Sequence, residues 1–425
     1  MTFCFAMDFH YSERIGGAEV QAWLLARELA RRGYEVHYLA QSLQGRANEM
    51  EVREGVRLHW LKYRGYLLWR NSVSYYRTLR RLDPDVVIQR MTSFNTGVIG
   101  LYARRHHKPF AWICTDNSVP ERWLFTRKEF AAIVRKKLAG KLKSPFLLCN
   151  AIITDLARDW GMRQASHVFT QNDGQFELLR RNYGLCSLRM PSGHELPSCE
   201  ISAQQRFRNK IILWAGNLGA NKRPEKFVEL AHALQRHDWR FVMLGGREGT
   251  ARVENFAAAP PPNLTWLGPK PLEETLSWFD RATVFVNTSK SEGFPNTFIQ
   301  AWLRGVPVVT LGVDPNQVII QNCLGHVTGS VAEMAQAIQA LLVDESRYDK
   351  LSQHVADFAG QHFTISAVAD HFLSTIQADA TIWHSKSKDA LLPAKNGQLS
   401  TNLSGSGLGY CGKQLIPRER KPQDV

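Results

Sequence analysis

The run Ser291-Glu292-Gly293-Phe294-Pro295-Asn296-Thr297-Phe298-Ile299-Gln300 carries the strongest chemical signal in the chain. It follows a strand-like stretch, Thr283–Asn287, and opens a helix with Pro295 in the first turn. A helix N-terminus offers free backbone N–H groups and a partial positive charge. Above the C-terminal edge of a parallel sheet, that suits an anion or a polyhydroxylated ligand. Glu292 stands at the mouth, and Gln300 follows two helical turns later on roughly the same face. The plain alternative is a capping segment with a surface glutamate.

A second segment has matching logic. Trp214-Ala215-Gly216-Asn217-Leu218-Gly219-Ala220-Asn221-Lys222-Arg223 lies between a strand and a helix, where α/β domains cradle phosphates. Gly216 permits close backbone approach, and Lys222 or Arg223 can neutralise phosphate charge. The segment is neither a Walker A loop nor a G-x-G-x-x-G, so an ordinary glycine turn with solvated cations stays open. A third turn, Gly16-Gly17-Ala18-Glu19, follows the first strand. Glu19 there reads as a first-turn residue favouring the helix dipole rather than as a catalyst.

Together, in this order and spacing, the three segments resemble the GT-B glycosyltransferases, and within them the retaining family 4 type, over about residues 1–378. The resemblance implies a metal-independent transferase that needs no cofactor and takes a nucleotide-sugar donor, a UDP- or GDP-sugar. It matches Lys222 to the lysine that contacts the donor diphosphate and Glu292 to the first glutamate of the E-x7-E motif. The amides that hold sugar and phosphate map to Gly293, Phe294, Pro295, Asn296 and Thr297, although Pro295 has no N–H. Gly16 and Gly17 match the glycine loop that faces the diphosphate from the first domain. There are three departures. Asn217 stands where relatives carry an arginine, which Arg223 would replace. Gln300 stands where they carry the second glutamate, the ribose ligand. No histidine follows the fourth strand of the first domain, where Asp116 is the nearest polar group and the third catalytic candidate beside Glu292 and Lys222.

These residues need a scaffold to position them. Strand, turn and helix alternate from Thr2–Met7, through the helix Ala18–Arg32 and the strand Glu35–Ala40, to Ser166–Thr170 and Gln175–Arg181. A Pro/Gly/Ser-containing linker, Pro191–Asn209, separates this series from a second one. That series begins at Lys210–Ala215 and ends with helices over Val331–Val343 and Thr364–Ile376. The pattern predicts an α/β protein of two doubly wound, Rossmann-like domains with a cleft between them. The acceptor-side domain spans 1–195, the donor domain 196–379, and a tail without periodicity 380–425.

Composition narrows the partners. The chain has 425 residues and a formal net charge of +14. Residues 1–195 carry +12, whereas residues 196–379 carry −2. Donor binding must therefore rest on a few placed groups, while the first domain's field points to an anionic surface. Arg127–Lys143, basic with apolar residues between, suits an anionic membrane surface or a solvated helix face. The acceptor is expected to be a saccharide or lipid-linked. Nucleic acid is excluded for want of a recognition motif. Seven cysteines, widely spaced and without C-x-x-C, fit reduced thiols in the cytoplasm. The apolar start, Met1 to Ala6, reads as a buried strand rather than a leader. Asp83-Pro84-Asp85 resembles a D-x-D metal motif, but turn chemistry accounts for it, and no metal is expected. The expected function is sugar transfer in cell-surface polysaccharide or glycoconjugate synthesis, on the cytoplasmic side of the membrane. The rivals are a catalytically degenerate sugar-nucleotide-binding partner in an assembly complex and a sugar-nucleotide isomerase of the same fold. The isomerase needs flanking acid and base groups that no motif supplies.

Overall fold

The computed structural model describes residues 1–389 apart from Ile15, Tyr66, Leu67, 139–144, 199–200 and 247–259. Met1–Ile376 forms one compact unit, and a second begins at Gln377. The first unit contains two sheets.

The first sheet comprises β1 (Thr2–Ala6), β2 (Glu35–Ser42), β3 (Met50–Arg53), β4 (Val56–Lys62), β5 (Val86–Gln89), β6 (Phe110–Ile113), β7 (His167–Thr170) and β8 (Leu188–Arg189). Its order is β3-β4-β2-β1-β5-β6-β7-β8. All pairs are parallel except β3–β4. The second sheet comprises β9 (Ile211–Ala215), β10 (Arg240–Leu244), β11 (Leu264–Trp266), β12 (Val284–Asn287), β13 (Val308–Leu311) and β14 (Gly325–Thr328). It runs β11-β10-β9-β12-β13-β14, parallel throughout. The central strands are near-continuous apolar runs because helices cover both faces. Phe3, Phe5, Val86, Ile88, Ile212, Leu213 and Phe285 are all buried. The expected α/β architecture is therefore present in both halves.

In the first half, α1 (Gly17–Arg31) covers one face of the sheet. On the other lie α2 (Ser72–Leu82), α3 (Phe94–His106), α4 (Leu124–Leu138), α5 (Pro145–Met162) and α6 (Asp173–Tyr183). α3 and α5 pack closely because both carry glycine at the contact. A Cβ on Gly161 would sit 2.2 Å from the Thr96 carbonyl oxygen.

Three features depart from the pattern read in the sequence. The β3–β4 hairpin has no counterpart in it, since exposed β3 reads as Met-Glu-Val-Arg with no inward apolar row. The linker contains a helix, Ala203–Asn209. The helix expected over Thr364–Ile376 runs Ile365–Asp389, so helical backbone continues into the stretch expected to be an irregular tail; 390–425 lie outside the described residues. Moreover, Ile365, Val368, Ala369, Phe372, Leu373 and Ile376 join the hydrophobic core of the first sheet, with Phe372 against Phe3 and Phe169. A helix at the end of the second series thus seals the first sheet.

The two chain crossings between the sheets are tied together. His194 bridges Thr364 in strand fashion, with His194 N–H donating to Phe363 (2.9 Å) and Ile365 N–H to His194 (2.8 Å). Gln21 of α1 braces this junction. Its Nε2 donates to the Gly193 carbonyl (2.8 Å), its Oε1 accepts from Gly193 N–H (3.0 Å), and Nε2 also lies 3.1 Å from His194 Nε2.

Candidate functional site

The loops at the C-terminal ends of the strands in both sheets converge. From the second sheet come the β9 loop, the β12 loop and the loop after β13. The β9 loop turns at Gly216, whose N–H donates to Leu244 (3.1 Å). Its close follows from one side chain. Arg223 sits in the left-handed region (φ 46°) and donates to the carbonyls of Thr288 (2.6 Å), Ser289 (3.0 Å) and Leu311 (3.0 Å). This guanidinium stitches three loops together. Its Nε and Nη2 donors are engaged by backbone, so Arg223 has a scaffold role at this turn. Asn217 itself is exposed. Pro224 follows at the first position of α7 (Pro224–Ala233), where a missing N–H costs nothing.

Lys222 points the other way, and its Nζ pairs with Glu292 Oε1. The two residues singled out from separate segments therefore meet as an ion pair, with side chains 27% and 16% exposed. Asn221 Nδ2 adds a bond to the Ser291 carbonyl (2.8 Å), and Lys290 N–H donates back to Asn221 (2.8 Å). Phe294 is buried against Trp302 and Phe363, which anchors the loop. Pro295 then caps a short helix, Asn296–Trp302, and contributes shape only. Gln300 is buried on that helix, and Thr297 is half-buried in its first turn.

The first sheet supplies the facing wall. Asn296 Nδ2 donates to the Gly17 carbonyl (3.2 Å), and a Cβ on Gly17 would sit 2.8 Å from that nitrogen. Gly16, the N-cap of α1, lies against the Glu19 carboxyl group, whose pKa burial raises. The two turns singled out from opposite halves, Gly16-Gly17 and Glu292 to Thr297, are thus in contact.

A set of amides that no motif marked completes the wall. Asn117 Nδ2 donates to the Glu292 carbonyl (2.6 Å), and Asn172 Nδ2 donates to the Gly293 carbonyl (2.7 Å). Asn172 Nδ2 also donates to Asn117 Oδ1 (2.9 Å), as does Gln175 Nε2 (3.3 Å). Gly293 admits no side chain, because a Cβ would stand 2.9 Å from the Gln171 and Gln175 amides and 3.2 Å from the Thr115 carbonyl. Asp173 N–H donates to Asn316 Oδ1 (2.9 Å) on the loop after β13. A polar cavity of about 390 Å³ opens here, lined among others by Asn117, Asn172, Asp173, Glu292, Asp314 and Asn316. Burial raises the Asp314 pKa, although the N–H groups of Ile319 and Ile320 favour its charged form.

Asp116 stays out of this group. It is exposed, and its Oδ1 accepts from Ser118 N–H (2.7 Å), which is plain turn capping; its neighbour Asn117 makes the reach instead. Asp83 and Asp85 are also engaged in turn chemistry. Asp83 closes α2 in the left-handed region and pairs with Lys108 (3.0 Å), while Asp85 accepts from Thr2 N–H (2.7 Å). Among the described residues, no three His, Cys, Asp or Glu side chains gather as a metal site.

Beneath the amides lies a buried guanidinium. Arg90, just after β5, donates to Ser192 Oγ (2.7 Å) and makes no ion pair among the described residues. Its burial lowers its pKa to about 10. His194 is pushed down to about 3 by burial, with Arg304 and Arg90 acting in the same direction.

Comparison with known proteins identifies the fold and the family. The profile described as "Glycosyl transferases group 1" matches residues 209–344, and "Glycosyl transferase 4-like domain" matches residues 16–189. A D-inositol 3-phosphate glycosyltransferase of Corynebacterium diphtheriae is 28% identical, over 86% of this chain and 90% of the relative. An uncharacterised glycosyltransferase of Haemophilus influenzae is 19% identical, over 79% of this chain and 90% of the relative. Among solved structures, Anabaena HepE in complex with UDP-glucose superposes with a TM-score of 0.64 at 14% identity, covering 88% of this chain and 99% of the other. Sucrose-phosphate synthase of Thermosynechococcus elongatus gives 0.67 at 16%, covering 91% and 100%. With two sheets of this order, two matching profiles and these neighbours, the chain belongs to the group 1 glycosyltransferases and has the GT-B fold.

Proposed function

We propose that this enzyme transfers a hexosyl group from a nucleotide sugar, with retention of anomeric configuration, to a hydroxyl of a saccharide or lipid-linked acceptor. One observation carries the reading. Lys222 and Glu292, from separate loops of the donor half, form an ion pair, and Asn296 of the same loop as Glu292 bonds the glycine turn of the other half. The binding of UDP-glucose by a neighbour of the same fold supports a UDP-sugar as the donor.

The difficult step is breakage of the anomeric carbon–oxygen bond while charge grows on the departing diphosphate. Lys222 supplies a cation, and the turns at Gly16-Gly17 and at Asn296 and Thr297 supply backbone dipoles. These groups are fixed before reaction and stabilise that charge without reorganising. Glu292 orients the donor sugar and balances oxocarbenium character. Gln300 serves the ribose with one acceptor oxygen and two N–H groups. The amides around the polar cavity suit a neutral polyhydroxylated acceptor, and closure of the wall excludes water.

The reading needs no cofactor. It places the enzyme in polysaccharide or glycoconjugate synthesis on the cytoplasmic side of a membrane. No helix among the described residues is long and apolar enough to cross one. The degenerate-partner reading draws on Asn217 and Gln300. The purified protein should be incubated with a panel of UDP- and GDP-sugars. Slow release of nucleoside diphosphate, abolished in Glu292→Gln, is the expected outcome; tight binding with no release from any donor would favour the non-catalytic partner.

A further inference from the structure

A second cavity, larger than the polar one, lies away from the site just described. It is a groove of about 880 Å³ across α2, α3 and α5, and its lining includes Val73, Tyr76, Leu101, Ile153, Leu156 and Trp160. Leucine, isoleucine, valine and tryptophan are normally covered in a monomeric globular fold. Here Val73, Leu101, Ile153 and Leu156 are each about half exposed, and Trp160 is 36% exposed.

The rim has an unusual charge. Arg77 and Arg80 border the groove, and Arg81, Arg104 and Arg105 lie on the same two helices. All five are exposed, and none makes an ion pair among the described residues. α2 and α3 contain no Asp or Glu at all. The acidic residues of α5 are turned to internal use. Asp155 is buried and accepts from Phe125 and Thr126, and Asp159 pairs with buried Arg158. An open apolar channel with a tryptophan at its edge and a one-sign rim of free arginines matches an anionic lipid surface. Two copies of this face would set unpaired Arg77 and Arg80 against the same pair, which disfavours self-association.

We propose that the α2–α3–α5 face is a membrane-docking surface, its groove taking apolar lipid matter and its arginines the anionic headgroups. This moves the contact away from Arg127–Lys143. On α4, Arg127 is already paired with Glu121, and 139–144 lie outside the described residues. The proposal is independent of the donor reading, since none of its residues touches that site.

The test uses the full chain and vesicles of phosphatidylcholine alone or mixed with phosphatidylglycerol. Binding to the mixed vesicles only, weakened by salt, is expected. Arg77→Gln with Arg80→Gln should weaken it about fivefold per arginine. Leu101→Ser with Leu156→Ser should abolish it at unchanged charge, and nucleotide-induced thermal stabilisation should be retained, showing that the variant is folded. If the serine variant binds the mixed vesicles like the parent, general adsorption by a basic chain is the cause and the proposal fails. It fails equally if Arg127→Gln with Lys128→Gln costs more than the rim arginines. A dimer in lipid-free sedimentation that the serine variant dissolves would assign the face to a second copy instead.

Discussion

Replacing Lys222 with alanine tests the donor site most directly. In the free protein its ammonium is held by Glu292, both side chains being well under a third exposed. A charge-assisted hydrogen bond in that setting contributes about 1.5–3 kcal/mol. Lys222→Ala removes the contact to the diphosphate and also leaves the Glu292 carboxylate unpaired, facing an incoming dianion. Loss of affinity for a nucleoside diphosphate should therefore be about 10- to 150-fold. The second effect can be isolated. In Lys222→Ala/Glu292→Gln the repulsion is gone, so the double variant should bind UDP or GDP more tightly than Lys222→Ala alone. For the intact sugar nucleotide the order should differ, because Glu292 then has a sugar to hold, and Glu292→Gln alone should weaken it. Isothermal titration of the four proteins with nucleoside diphosphate and with sugar nucleotide closes the cycle. If Lys222→Ala binds diphosphate within about threefold of the parent, the ammonium does not face phosphate. If the double variant binds worse than the single, the carboxylate is itself part of the diphosphate site, and the division of roles is wrong.

Other consequences follow from the wall and the core. Gly293→Ala sets a methyl against two side-chain amides and the Thr115 carbonyl, and should lower kcat/KM at least about tenfold in steady-state assays. Asn172→Ala strips a buried carbonyl of its donor; kcat should fall while nucleoside diphosphate affinity, measured by titration, stays put, because Asn172 makes no bond to Lys222, the proposed diphosphate contact. Gly161→Ala drives α3 and α5 apart and should cost about 3 kcal/mol, read as a Tm lowered by several degrees. His194 is held neutral, its folded pKa near 3 lying below the ordinary 6.5, so the unfolded chain binds the extra proton. Its share of stability is present above pH 6.5 and drains as pH falls toward 3, by about 2 kcal/mol at pH 5. Thermal melts of His194→Gln across that window should show a shallower acid loss than the parent; an unchanged slope would exonerate this histidine.

The fold was legible because both sheets are parallel and covered on both faces. Runs such as Ile211–Ala215 and the first three residues of Val284–Asn287 are apolar and lie between helices with clear periodicity. β3 was invisible because an exposed edge strand needs no apolar row. Lys222, Glu292 and the Gly16-Gly17 turn were legible because a glycine or charge at a strand-to-helix turn has few other uses. Asn117, Asn172 and Gln175 were not, since uncharged amides in a loop look alike whether they cap a turn or reach a carbonyl more than a hundred residues away. Arg223 shows the converse: a cation beside a glycine turn can hold three carbonyls of its own half.

The helix that begins at Ile365 bears on how this enzyme could be taken apart. Cutting after residue 195 would leave Phe3 and Phe169 without the Phe372 side of their packing, and the first half would emerge with an open apolar seam. Neither half is a separable cassette. A chimera that borrows the first half of a relative must borrow the stretch from Ile365 to Ile376 with it, so exchange of that half between such enzymes requires two crossovers rather than one.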